Sequence, residues 1–260
     1  VKSKLIPILL SFCAAPCLAK TFQVAVNQNS PPYAYVADGH VYGLNVEIIK
    51  SIMQQLGHSI QLEALTDKGL IVEAEYGKRI DIVVGGLPYS EKIGYLSDPL
   101  YSSEVVAISK KKDKIKVKNL EDLKALKLAA GPWLWEKLGP EFMRIYEPKK
   151  RPTTYHEFIT REEQHKSFWS GRTQVIICDR AIFDYYQEFL AGIVDTTDTI
   201  QVHKISLKSP PPRVFFRNRE LRDQFNLALD KFRMSVAYER LIQMHLRTQK
   251  SGAELIADHR

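Results

Sequence analysis

The chain has 260 residues, 45% of them hydrophobic, and a formal net charge of +7. That is enough chain to be held together by its core, as one large domain or two small ones. The basic residues are spread out, the one dense run at 110–118 ends by alternating with apolar residues, and no nucleic-acid motif occurs, so nucleic acid is not an expected partner.

The chain opens like an export signal. Residues 1–4 are short and basic, 5–18 are apolar, and Cys17 and Ala19 put small residues where a signal peptidase reads. The expectation is a signal peptide over 1–19, cleavage after Ala19 and release into the periplasm. The apolar run is too short to span a bilayer, which takes about 20 residues. Cys13 follows Phe12 and Cys17 follows Pro16, neither of them the small residue that precedes a lipidated cysteine. Cleavage would leave one cysteine, Cys178, and therefore no internal disulfide. It ends the apolar run Val175-Ile176-Ile177-Cys178, which reads as a buried strand.

Taken in order, Phe22 to Val26 alternates and predicts a strand. After a loop over 27–32, Tyr33 to Val36 and Val41-Tyr42 flank Asp38-Gly39, a hairpin signal. Asn45 is the expected cap of a helix with apolar Ile48, Ile49, Ile52, Met53 and Leu56, stopped by Gly57. A strand at 60–65, a short helix at 70–76 and a nearly all-apolar strand at 80–84 follow, the last suited to a parallel sheet covered on both faces. The pattern then restarts. Strands are expected at 105–109, 128–130 and 174–178. Helices are expected at 120–126, from Pro132 through Leu138 (stopped by Gly139-Pro140), at 160–170 and at 180–190. Residues 202–207 and 214–216 read as extended, 220–246 as a long helical stretch, and 249–260 as a flexible tail. The fold class is α/β, with two successive α/β patterns and right-handed crossovers.

Several landmarks occur in the order found in one family. They are Pro31-Pro32-Tyr33 after the first strand, Gly43-Leu44-Asn45-Val46-Glu47, Gly77-Lys78-Arg79-Ile80-Asp81, Leu96 to Tyr101, Asn119 to Leu123, and Ile177-Cys178-Asp179-Arg180 with Tyr185 and Tyr186. Over about residues 22–247 the chain resembles the extracellular solute-binding proteins of family 3, with the type II periplasmic-binding fold. The resemblance implies lobe 1 at 22–104, lobe 2 at 105–211, a return to lobe 1 at 212–248, and a two-segment hinge near 102–107 and 206–214. Ligand would lie between the lobes at the carboxyl ends of the strands, and binding would close them.

The departures from the family bear on the ligand. Where amino-acid binders carry an arginine for the ligand carboxylate, this chain has Gly85-Gly86-Leu87-Pro88-Tyr89-Ser90-Glu91-Lys92. Gly86 begins that segment, Ser90 would supply a hydroxyl, and Lys92 a charge without the two-pronged geometry of guanidinium. Its length and Gly-Leu-Pro start are closer to the periplasmic proteins associated with methanol dehydrogenase systems. Gly131-Pro132-Trp133 stands where the family has Gly-Thr. With proline in a first helical turn, its free N–H groups would hold an anion. Asp179 is expected as the partner of a ligand ammonium, and as a helix cap. Tyr33 and Tyr35, placed on one face by alternation, would wall the cleft.

The seven histidines show no ligand spacing, so no metal is expected, and no nucleophile elbow, Walker loop or dinucleotide fingerprint occurs. No cofactor and no catalytic residue follow from the sequence. The expected function is capture of a small polar, amine-bearing solute by a monomer that hands it to an ABC permease in the inner membrane. The alternatives are a periplasmic accessory or sensor protein of the same fold serving a redox enzyme or receptor, and a dehydratase-like enzyme.

Overall fold

A computed structural model describes residues 19–85 and 92–246. The expectations for residues 1–18, Gly86, Ser90 and the tail fall outside the described residues.

The first half runs β1 (Thr21–Asn27), β2 (Asn29–Ser30), β3 (Ala34–Ala37), β4 (His40–Tyr42), α1 (Leu44–Gln55), β5 (Ser59–Leu65), α2 (Asp67–Tyr76), β6 (Ile82–Gly85) and β7 (Tyr95–Leu96). It continues with β8 (Val105–Lys110), a 3-10 turn at Glu121–Ala125, β9 (Leu128–Ala130), α3 (Leu134–Lys137) and α4 (Gly139–Tyr146). Then come β10 (Tyr155–Glu157), α5 (Arg161–Trp169), β11 (Val175–Asp179), α6 (Arg180–Phe189), β12 (Ile200–His203), β13 (Arg213–Phe216), α7 (Arg219–Arg233) and α8 (Val236–Leu246).

These strands form two five-stranded sheets of matching plan, ordered β5-β1-β6-β13-β7 and β10-β9-β11-β8-β12. In each, three parallel strands are followed by an antiparallel fourth, β13 in the first sheet and β8 in the second. The chain joins the sheets twice, between β7 and β8 and between β12 and β13. Val24, Val26, Ile82 and Val84 are fully buried, as are Ala129, Ile176 and Ile177. Burying both faces of a strand is what turns an alternating pattern into a run of Val and Ile. Each such side chain contributes about 1.5–3 kcal/mol.

Helix α1 shows how the first loop is fixed. Its first residue is Leu44, not one after Asn45, and its cap is Gly43 at φ +121°. A β-carbon on Gly43 would lie 2.4 Å from the carbonyl oxygen of Tyr33. That closeness lets the first helical N–H groups donate to the chain before it, Leu44 N to Pro32 O (3.0 Å) and Asn45 N to Tyr33 O (2.9 Å). Asn45 is therefore inside the helix, where its buried side chain accepts a bond from the Tyr101 hydroxyl at 2.6 Å. The expected Asn45 cap is corrected to a glycine whose lack of a side chain allows the close approach.

Three further expectations are corrected. Gly139-Pro140 opens α4 instead of ending a helix, with proline in the first turn where its missing N–H is harmless. Strand β10 has no counterpart in the sequence reading. The 220–246 stretch is two helices, parted at Met234-Ser235, where the Ser235 hydroxyl accepts from Tyr238 N at 3.2 Å and caps α8.

Candidate binding cleft between the two sheets

Parallel strands in both sheets end toward the same space. Asn27 closes β1, Gly85 closes β6 and Asp179 closes β11, and all three line a cavity of about 110 Å³. Open α/β sheets bind small molecules at such ends because backbone and helix starts converge there.

Asp179 leaves β11 and caps α6. Its Oδ1 accepts from Ala181 N at 2.9 Å and Ile182 N at 3.3 Å. The same oxygen accepts the Tyr33 hydroxyl at 2.6 Å, from the loop beside the first sheet. Burial pushes the Asp179 carboxyl above its ordinary range, opposed by these three donors and by Arg161. Burial, with the neighbouring Asp179 charge, raises the Tyr33 phenol well above its usual value, so Tyr33 stays a neutral donor. Its ring stacks on Tyr101, 5.3 Å between centroids and 10° between planes, which fixes the hydroxyl's direction.

Two cations come from the second half. Arg161 is the first residue of α5, whose cap Thr160 accepts from Glu163 N at 3.2 Å. Its guanidinium lies over Gly131, where a β-carbon would come within 2.5 Å of Nη1. Lys137 of α3 reaches across to Asp67, the first residue of α2, at 3.7 Å. Asp67 also accepts from Asn27 Nδ2 at 3.1 Å. Burial lowers the Lys137 ammonium, with Asp67 working the other way. A third bond across the cleft runs from the Tyr186 hydroxyl to Asn29 Oδ1 at 3.4 Å. Bonds of Tyr33, Lys137 and Tyr186 thus tie the two halves together around one space that holds carboxylates and cations side by side.

Tyr33 and Asp179 are in the cavity. Gly131 is beside it, making room for Arg161. Trp133 lines a wider groove of about 590 Å³ at the cavity's mouth, and the two spaces share Asn27, Asp67 and Arg161. Tyr35 is elsewhere, packed against Tyr42 and Tyr185 in a separate surface groove. The shared face for Tyr33 and Tyr35 is corrected because Tyr33 sits in the turn before β3 begins, where strand alternation does not apply. Lys92 is exposed and does not line the cavity; it leads into the edge strand β7, which β13 separates from β6. The anion site at Gly131-Pro132-Trp133 is also corrected. Helix α3 begins only at Leu134, and the Trp133 N–H already donates to the Glu157 carboxylate at 2.8 Å.

The sequence reading missed Arg161, Lys137, Asp67 and Tyr101, and with Arg161 the guanidinium it found lacking. The signal for Arg161 was β10: once 155–157 is a strand, residues 158–161 follow its carboxyl end and face the cleft. Among the described residues no group of three or more His, Cys, Asp or Glu is placed to hold a metal ion, and no helix is long and apolar enough to cross a membrane.

Comparison with known proteins places this architecture. The family model for "Bacterial extracellular solute-binding proteins, family 3" matches residues 22–248. The chain is similar to the arginine-binding extracellular protein ArtP of Bacillus subtilis (strain 168), 24% identical over 218 residues, 81% of this chain and 80% of that protein. It is also similar to the L-cystine-binding protein TcyJ of Escherichia coli (strain K12), 26% identical over 170 residues, 62% of this chain and 59% of that one. Among solved structures, an ancestral arginine-binding protein bound to arginine superposes with a TM-score of 0.69 at 21% identity, over 86% of this chain and 97% of that one. The arginine-, lysine-, histidine-binding protein ArtJ of Geobacillus stearothermophilus gives 0.67 at 19% identity, over 91% and 99%. The chain belongs to the bacterial extracellular solute-binding proteins, family 3.

Proposed function

We propose that this protein is the capture component of an ABC-type importer, closing on a small solute that bears both an amine and a carboxylate. The observation that carries this reading is the pairing of Asp179 and Arg161 in one small cavity lined from both sheets. A partly buried carboxylate and a partly buried guanidinium are costly alone and favourable around a zwitterion. Asp179 would take the ammonium, displacing the Tyr33 hydroxyl, and Arg161 the carboxylate. Tyr33, Gly131 and Lys137 would position these groups. The names of ArtP and TcyJ, an arginine and a cystine binder, point the same way. Release into the periplasm after cleavage at Ala19, lobes divided near 104 and 211, and a monomeric state belong to the same proposal.

Each charge-assisted hydrogen bond of this kind contributes roughly 1.5–3 kcal/mol. Blocking either ligand charge should therefore weaken binding about ten- to a hundredfold. Titration calorimetry with an α-amino acid, its N-acetyl form and its carboxamide tests this. The free amino acid should bind best. An N-acetyl form that binds as tightly would remove the amine anchor from the reading.

A further inference from the structure

The inner cavity and the outer groove differ in what they can hold. A cavity of about 150 Å³ is enough for benzene, so the inner one, about 110 Å³, takes roughly five non-hydrogen atoms. That is about the size of an amino, a carboxylate and the carbon between them, so a large side chain has to extend out of it. The two spaces meet at Asn27, Asp67 and Arg161, so whatever a zwitterion carries beyond its head leaves past Arg161 into the groove.

The groove is lined by Pro132, Trp133, Trp135, Pro148, Phe158 and Ile159. Ile159 is 88% exposed and adds apolar surface to this wall beside the two indole rings. Trp133 is held in a left-handed conformation, φ 58°, by its own N–H bond to Glu157. Its place in the wall is thus set by the backbone. The groove's charges argue against a cationic occupant. Asp67 is engaged by Lys137 and Asn27, and Glu157 by Trp133 N–H and Arg151 at 2.9 Å. Lys68, Arg151 and Arg161 stand beside these two carboxylates.

We infer that the outer groove is the side-chain subsite and that it selects α-amino acids with a flat aromatic side chain, lying against Trp133 and Trp135, over short or cationic ones. This rests on the zwitterion reading of the inner cavity.

The test is a calorimetric series with alanine, phenylalanine and arginine on the full protein, on Trp133→Ala and on Trp133→Phe. Phenylalanine should bind at least tenfold more tightly than alanine. Trp133→Ala should lower its affinity about tenfold, move alanine less than twofold, and be rescued by Trp133→Phe. Thermal melts of both variants check that each is folded. Tryptophan emission gives a second readout, since two of the chain's three tryptophans line the groove while Trp169 is buried. Phenylalanine should shift that emission and alanine should not. If alanine binds as tightly as phenylalanine, or arginine binds tightest and is indifferent to Trp133→Ala, the side-chain inference falls and the zwitterion reading stands. If none of the three binds, the zwitterion reading falls and takes this inference with it.

Discussion

Asp179 has two roles that a pair of substitutions separates. Its Oδ1 caps α6 through two N–H groups and accepts the Tyr33 hydroxyl across the cleft. Asp179→Ala removes the cap, worth about 1 kcal/mol, and leaves the buried Tyr33 hydroxyl without its partner, worth about 1–3 kcal/mol more. The variant should lose roughly 2–4 kcal/mol of stability by urea unfolding. Asp179→Asn keeps an acceptor for both the helix and Tyr33 while removing a charge that burial already disfavours. It should lose no more than about 1 kcal/mol. Binding should respond differently: both variants should weaken an amino acid by about ten- to a hundredfold, because both lack the charge proposed to hold its ammonium. Unfolding curves and calorimetry on the same preparations decide it. An asparagine variant that binds like the parent would reduce Asp179 to a helix cap, and equal destabilisation by alanine and asparagine would refute the capping argument.

Burial depresses the His165 imidazole from 6.5 to about 3, so the unfolded chain takes the proton first as pH falls. The stability from keeping His165 neutral is complete above 6.5 and lost progressively toward 3, about 2 kcal/mol by pH 5. Urea midpoints at pH 7 and 5 should converge in His165→Gln relative to the parent. Gly131→Ala puts a methyl 2.5 Å from the Arg161 guanidinium, the movable end of a flexible side chain; calorimetry should show about tenfold weaker amino-acid binding, with a melting temperature close to the parent's. Gly43→Ala meets backbone instead, at φ +121° and 2.4 Å from a carbonyl oxygen, and should cost about 2–4 kcal/mol in urea unfolding.

Legibility from sequence followed burial. Runs such as Val175-Ile176-Ile177-Cys178 and Ile82-Val83-Val84 declared the central strands, and Asp38-Gly39, at φ 49° and 74°, declared the hairpin. What stayed hidden was short or borrowed. Strand β10 is three residues with one buried side chain, Tyr155, so no periodicity could show it. With β10 went the placement of Arg161, which looks like any charged residue in the run Arg161-Glu162-Glu163. Asp179 was visible because it ends an apolar strand. Lys137 and Asp67 were not, since their pairing joins residues seventy positions apart, the last of α3 and the first of α2, which meet only after folding.

The placement of β13 has a consequence for the order of events as the chain emerges. Every strand of the second sheet lies within residues 105–203, so that sheet can assemble from one continuous stretch. The first cannot. Its inner strand β13 comes from residues 213–216, with Phe215 and Phe216 fully buried, and among the described residues β7 pairs with no other strand. Loop closure over such a separation is slow relative to local pairing. A chain made from its amino end must therefore hold β1, β5 and β6 with an open hydrophobic edge until more than a hundred further residues have appeared. During that interval the half that begins first is the half that finishes last, and its exposed edge is where a chaperone would have to act.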